Sequence, residues 1–302
     1  KNVTTVEHVS SMLCRSFGER FFEAKARNRI DLANKQGRGT VLVHSMGKVG
    51  SSTVRYSLRN SFFSDELAIY GTYFLSESGL IYFNQLEEKG HGSWLSSPRT
   101  VKALLAEGKM LHNSLIRTFN KDEKIKIITL VRDPIATNIS GFFQNWLWWP
   151  ASVQREYKQG NKDNIQHLIN TFISDYPHKV PLTWWDNELN GMFDIDVFSK
   201  SFPQNSGYAI YNSEKADVLV LKLENLTECV ETAINEFLGY EGFTLKNANE
   251  SQQKWYSLLY KKFIKEIDLP KQYLNTMYNS KVMNHFYSES EITQFRNIWS
   301  RN

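Results

Sequence analysis

The chain reads as an α/β protein of the P-loop-like kind. A central parallel sheet lies in a three-layer α/β/α arrangement, with helical insertions. Three observations predict this. Short apolar runs alternate with amphipathic helical stretches, the pattern of a parallel sheet covered by helices. The first run leads through a Gly/Ser-rich turn into a helix. The second ends in Arg132-Asp133-Pro134 and leads into another helix.

Each element has its own signal. Residues 1 to about 36 read as a helical segment, because Val9, Met12, Leu13 and Phe17 follow helical spacing. Gly37 and Gly39 break it. Thr40 to His44 (TVLVH) is a short β-branched strand. Val54, Leu58 and Phe62 then trace one helix face. A second strand runs from Lys124 to Val131. Asp133 as N-cap and Pro134 at the first helical position start the helix after it. Ile135, Ile139, Phe142, Phe143 and Trp146 form its apolar face. A third strand spans Asp217 to Glu224, and its helix runs from about Thr227 to Leu238, where Gly239 stops it. Ser288-Glu289-Ser290-Glu291 is a capping-box pattern ahead of Ile292, Phe295 and Trp299. The stretch 146–215, rich in Trp, Tyr, Asn and Asp, is expected to be a helical insertion in a single domain over 37–302.

Composition narrows the function classes. With 41% hydrophobic and 23% charged residues the chain can bury a core and need not be disordered. A net charge of +4 without a dense basic stripe argues against a nucleic-acid partner. Lys261, Lys262 and Lys265 lie beside Glu266 and Asp268 and read as a solvated helix face. Cys14 and Cys229 are far apart and form neither a disulfide framework nor a zinc set. A reducing, cytoplasmic compartment and no metal are therefore expected. No apolar run is long enough for a membrane span.

The chemistry-bearing residues fall in two places. Gly47-Lys48-Val49-Gly50-Ser51-Ser52-Thr53 joins strand to helix. Glycines let the backbone turn sharply, and a helix N-terminus offers free N–H groups and a positive dipole end to an anion. Lys48 adds charge and the hydroxyls add donors. A structural turn explains the same residues. Arg132 sits at the carboxyl end of a strand, where open α/β sheets bind ligands. Ser140 follows two helical turns later. A guanidinium fork and a hydroxyl can share a phosphate, or Arg132 can simply pair with Asp133. The turn is not a Walker A loop, since Lys48 precedes its second glycine.

Together the two places resemble the phosphosulfate-binding pair of the sulfotransferase superfamily. The Gly47–Thr53 turn is similar to the family's 5′-phosphosulfate loop, and Arg132 with Ser140 to its 3′-phosphate site. The resemblance narrows to the bacterial family named for an Asn-Lys-Trp-Tyr-Ser motif and called "putative capsular polysaccharide synthesis protein". Residues 41–54 (VLVHSMGKVGSSTV), 126–145 (KIITLVRDPIATNISGFFQN) and Lys254-Trp255-Tyr256-Ser257 carry it, with Gln253 at the motif's first position. Trp185-Asp186-x-Glu188, Phe193-Asp194-Ile195-Asp196-Val197 and His285-Phe286-Tyr287-Ser288 extend it. The segment Gly71-Thr72-Tyr73-Phe74-Leu75 departs from the family's His-x-His-Phe-Leu pattern, so neither histidine is there to serve as base.

The resemblance implies a sulfotransferase-like fold and transfer of a sulfuryl group from 3′-phosphoadenosine 5′-phosphosulfate (PAPS) to a hydroxyl acceptor, expected to be a carbohydrate. 3′-Phosphoadenosine 5′-phosphate (PAP) would be the product. Lys48 would stabilise the leaving oxygen. The candidate bases are Glu188, Asp186 and His44, with His112 behind them. Trp184-Trp185 next to the two acids fits either a sugar platform or a core. A P-loop kinase or NTPase, and a non-catalytic nucleotide- or glycan-binding protein, are the competing readings.

Overall fold

The computed structural model describes residues 20–88, 98–118, 124–144, 149–158, 165–246 and 255–300. Val9, Met12, Cys14, Leu13, Phe17, Trp146, Gln253 and Lys254 lie outside them. Helix α1 (20–35) turns Ala26, Ile30 and Ala33 inward at helical spacing. The chain continues through β1 (Gly39–His44), α2 (Ser51–Arg59), α3 (Phe63–Glu66), β2 (Leu67–Thr72), α4 (Glu77–Glu88) and α5 (Pro98–Thr118). Then come β3 (Ile125–Val131), α6 (Pro134–Gln144), α7 (Ala151–Lys158), α8 (Ile165–Asp175) and α9 (Val180–Trp184). A π-helical turn over Trp185–Asn190 runs on into α10 (Gly191–Phe193). The last part holds β4 (Tyr208–Asn212), β5 (Ala216–Lys222), α11 (Leu226–Leu238), α12 (Ser257–Glu266), α13 (Lys271–Tyr278), α14 (Lys281–Phe286) and α15 (Glu289–Trp299).

The five strands lie in the order β2-β1-β3-β5-β4. The first four are parallel and β4 pairs antiparallel with β5. The sheet is therefore mostly, not wholly, parallel. In β2 every residue is buried, and in β3 and β5 all but one. Side chains alternate between faces along a strand, so both faces of the sheet are covered. From β1 the chain steps to β2 on one side and later to β3 on the other. That reversal between β1 and β3 is where open α/β sheets form a ligand crevice at their carboxyl ends.

Two strands were not legible beforehand. β2 follows α3 directly, with no turn residue between them, and carries Gly71 in its interior. β4 lies inside the stretch expected to be wholly helical. It is an edge strand that joins the sheet only by pairing with β5. β2 is the opposite edge, and arginines occupy its outward carbonyls. Arg38 donates to Leu67 O at 2.6 Å, and Arg29 and Arg59 donate to Ile69 O at 2.6 and 2.8 Å. Charged side chains on an edge block pairing with another strand.

The helix signals hold where local chemistry decides them. Asp133 accepts from Ile135 N–H at 2.9 Å at the start of α6. Gly239 closes α11 with φ 76°. Ser288 and Glu291 form the capping box of α15. His112 lies on α5. Phe142, Phe143 and Trp149 are core.

Candidate functional site

The carboxyl ends of the parallel strands gather most of the expected residues. β1 ends at His44 and runs into the turn before α2. Gly47, Lys48, Val49 and Gly50 form that turn, and Ser51, Ser52 and Thr53 are the first turn of α2. Lys48 has φ 72° and Gly50 φ 90°. Left-handed backbone costs a residue with a Cβ about 1–2 kcal/mol, and such strain concentrates at functional sites. At Gly50 a Cβ would also meet Leu223 Cδ1 at 2.6 Å, so glycine is required twice over. α2 begins with no side-chain cap and no acidic residue in its first turn. Its N-terminus thus retains the character of an anion site.

The second group meets this turn. Arg132, the residue after β3, donates from Nη1 to the Lys48 carbonyl at 2.8 Å. Lys48 Nζ in turn hydrogen-bonds Gln144 Oε1 at the end of α6. Ser140 precedes Gln144 by one helical turn and shares its face, which places it on the side of α6 that looks toward Lys48. Gln144 was not anticipated. Its only sequence signal is the four-residue spacing from Ser140.

Glu188 is fully buried on the π-helical turn. Oε2 accepts from Leu75 N–H at 2.7 Å and Ser76 N–H at 2.9 Å, and Oε1 accepts from Ser76 Oγ at 2.7 Å. His44 Nε2 lies 3.2 Å from Oε2, close enough for an ion pair but too bent for a well-formed hydrogen bond. Burial alone would push the Glu188 carboxyl up, but His44, Ser76 and Leu75 outweigh it and hold the group below the usual carboxylate value. His44 is fully buried too, and its Nδ1 lies 3.3 Å from Thr72 O. Both ring nitrogens of His44 face oxygens. Gly79 makes room for the carboxylate: a Cβ there would stand 1.8 Å from Glu188 Oε1.

Asp186 goes elsewhere. Its carboxylate takes both oxygens to Lys281 Nζ at 2.7 Å, with the two side chains 44% and 54% exposed. The structure therefore brings His44 and Glu188 together beside the turn and leaves Asp186 on the surface. His112 Nδ1 meets Leu75 O at 2.7 Å, on the same segment that holds Glu188. Trp184 and Trp185 are both core, and Trp184 also packs on His44 with ring centroids 4.8 Å apart.

A third, buried layer stands behind Arg132. Asp133 accepts from Tyr278 OH at 3.1 Å and Trp299 Nε1 at 3.0 Å. Glu224, just past β5, accepts from Asp133 N–H at 3.0 Å and Tyr287 OH at 2.8 Å. Burial raises both carboxyls above their usual values, although these donors pull the other way. The acids at these strand ends are committed to internal donors, which is a poor starting point for holding a divalent cation. Glu224 thereby ties the end of β5 to the segment after β3. In His285-Phe286-Tyr287-Ser288, Phe286 is core, Tyr287 holds Glu224 and Ser288 caps α15. Tyr256 of the Lys-Trp-Tyr-Ser run is buried against Phe143, with ring centroids 5.9 Å apart.

Next to Glu188 opens a cavity of ≈ 520 Å³. It lies between α4, residues 176–179, α9 and the π-helical turn. No helix among the described residues is long and apolar enough to cross a membrane.

No curated protein and no solved structure matches the chain. Residues 159–288, under half of the chain, match the family model NKWYS, described as "Putative capsular polysaccharide synthesis protein". The matched stretch contains Glu188, Asp186, Glu224 and the Lys-Trp-Tyr-Ser run, and stops short of both the Gly47–Thr53 turn and Arg132.

Proposed function

We propose that this protein transfers a sulfuryl group from PAPS to a hydroxyl of a glycan in capsular polysaccharide synthesis. The observation that carries the reading is the hydrogen bond from Arg132 to the carbonyl of Lys48. It ties a strained, uncapped anion turn to a guanidinium at the switch point of a mostly parallel sheet. The family match supports the glycan part.

The residues fit a doubly phosphorylated nucleotide. The N–H groups and hydroxyls of Gly50, Ser51, Ser52 and Thr53 would hold the 5′-phosphosulfate end, and Arg132 with Ser140 the 3′-phosphate. When bound, PAPS supplies a sulfur whose bond to the phosphate oxygen breaks as a bond to the acceptor oxygen forms. Lys48 neutralises charge that grows on the departing phosphate, exchanging its Gln144 contact for that oxygen. The acceptor hydroxyl must also lose a proton. We assign that step to the His44–Glu188 pair, His44 being the last residue of β1 before the turn. With Glu188 held ionised by its donors, it is available to orient and charge-balance His44.

The test is calorimetric titration with PAP against ATP plus Mg²⁺, on wild type and Arg132→Ala. Preference for PAP that drops at least tenfold without Arg132 supports the reading. No PAP binding, or preference for Mg-ATP, overturns it in favour of a kinase or a binding protein.

A further inference from the structure

The geometry points to the cavity beside Glu188 as a binding site for an uncharged single-ring alcohol, and we propose that this ring carries the acceptor hydroxyl. The first half of this proposal stands on the cavity alone. The second half rests on the sulfuryl-transfer reading.

Size is the first argument. A volume of ≈ 520 Å³ sits within the range of about 300–1,000 Å³ typical of small-molecule pockets. It leaves room for a ring with its substituents.

The lining is the second argument. Phe74, Tyr176 and Trp184 form a buried aromatic floor, with Tyr82 beside them. Ser78, Lys179, Thr183 and Asn187 form an exposed polar rim. Aromatic faces suit the C–H face of a ring, while the rim offers donors and acceptors for hydroxyls at the ring edge. Among the described residues that line it, Glu188 is the one carboxylate, and four neighbouring groups already engage its oxygens. An anionic ring would have to bring its charge over the aromatic floor and beside Glu188, which costs free energy unless it is paired. The rim cation Lys179 stands in solvent and gives little such pairing.

Position is the third argument. Trp184 and Glu188 belong to the cavity wall and also touch His44, the last residue of β1 before the phosphate turn. Cavity and turn therefore share one partition. The wall is built on a π-helical turn, a rare widening of the helix that recurs at functional sites.

A pyranoside and an alicyclic or phenolic alcohol share the required chemistry. Saturation-transfer NMR and calorimetry would be run without nucleotide, using methyl glucopyranoside, cyclohexanol, phenol and a sulfated disaccharide as probes. The chains compared are wild type, Arg132→Ala and Thr183→Trp. Thr183 is exposed on α9, so its replacement narrows the mouth without entering the core, and an unchanged urea midpoint verifies the fold. We expect at least one uncharged ring to bind wild type and Arg132→Ala alike and to lose at least tenfold in affinity in Thr183→Trp. The pyranoside arm against the cyclohexanol and phenol arms identifies the source. Binding of the sulfated disaccharide alone, binding unaffected by Thr183→Trp, or no ring binding at all overturns the site. Ring binding that persists in a protein with no affinity for PAP keeps the site and removes the word acceptor.

Discussion

Arg132 and Lys48 stand 84 residues apart in the chain and meet through a 2.8 Å hydrogen bond from the guanidinium to the lysine carbonyl. The bond holds a lysine in left-handed backbone, and the same arginine remains beside the mouth of the turn. One side chain thus shapes the turn and stands beside it. Replacing Lys48 by Ala should lower turnover by roughly a hundredfold while changing PAP affinity much less, because its charge matters most as the leaving oxygen develops. Steady-state and binding measurements on the same preparation separate the two. Equal losses in both would make Lys48 a binding residue only.

Gly79 should resist its most conservative replacement. Alanine is favoured over glycine inside a helix by about 1 kcal/mol. Here the added Cβ would stand 1.8 Å from Glu188 Oε1, and overpacking costs about 1–3 kcal/mol. Gly79→Ala should therefore destabilise the wild-type background and cost clearly less in a Glu188→Ala background, where Phe74 Cδ1 at 3.0 Å is the remaining close neighbour. Urea denaturation of the four proteins in this cycle decides it, and an equal cost in both backgrounds would refute the contact.

Glu188 carries a pH signature. Its carboxyl is held below the usual value, so its contribution is present above about pH 4.5 and is lost as pH falls through the lower folded value. Glu188→Gln keeps the shape and removes the charge. It should cost about 2 kcal/mol at pH 7, with the gap to wild type closing below about pH 4.5. A gap that stays constant from pH 7 to pH 3 would show that charge plays no part.

Glu224 runs the other way. Burial raises its carboxyl, so its contribution is complete below about pH 4.5 and declines as pH rises through the raised value. In Glu224→Gln the amide oxygen can accept from Asp133 N–H and the amide nitrogen can donate to Tyr287 OH, whose hydroxyl reverses. The variant should gain on wild type as pH rises from 4.5 to 7, by about 1.4 kcal/mol for each pH unit between the ordinary and the raised value. Melting curves across that range test it, and a variant that falls further behind as pH rises contradicts it.

Ser288→Ala removes half of the capping box and should cost about 1 kcal/mol. Because α15 also carries Trp299 to Asp133 behind Arg132, fraying of that helix should loosen PAP binding as well. Thermal shift and titration on this one variant read both effects.

Local chemistry made much of this legible from sequence. Asp133-Pro134, Gly239 and the Ser288–Glu291 box mark helix ends because each satisfies or terminates backbone groups within a few residues. The Gly/Ser turn and the Arg132-Asp133-Pro134 run were visible because each is a short stretch of consecutive residues directly after a strand. Long-range placement was decided by the tertiary structure. β4 exists because β5 offers it a partner, and β2 because β1 does. Asp186 and Glu188 are two residues apart and look equivalent in the sequence. The π-helical turn sends one to Lys281 in solvent and the other to His44, Leu75 and Ser76 in the interior. Spacing alone could not separate them, since which face of a helix becomes interior depends on what packs against it.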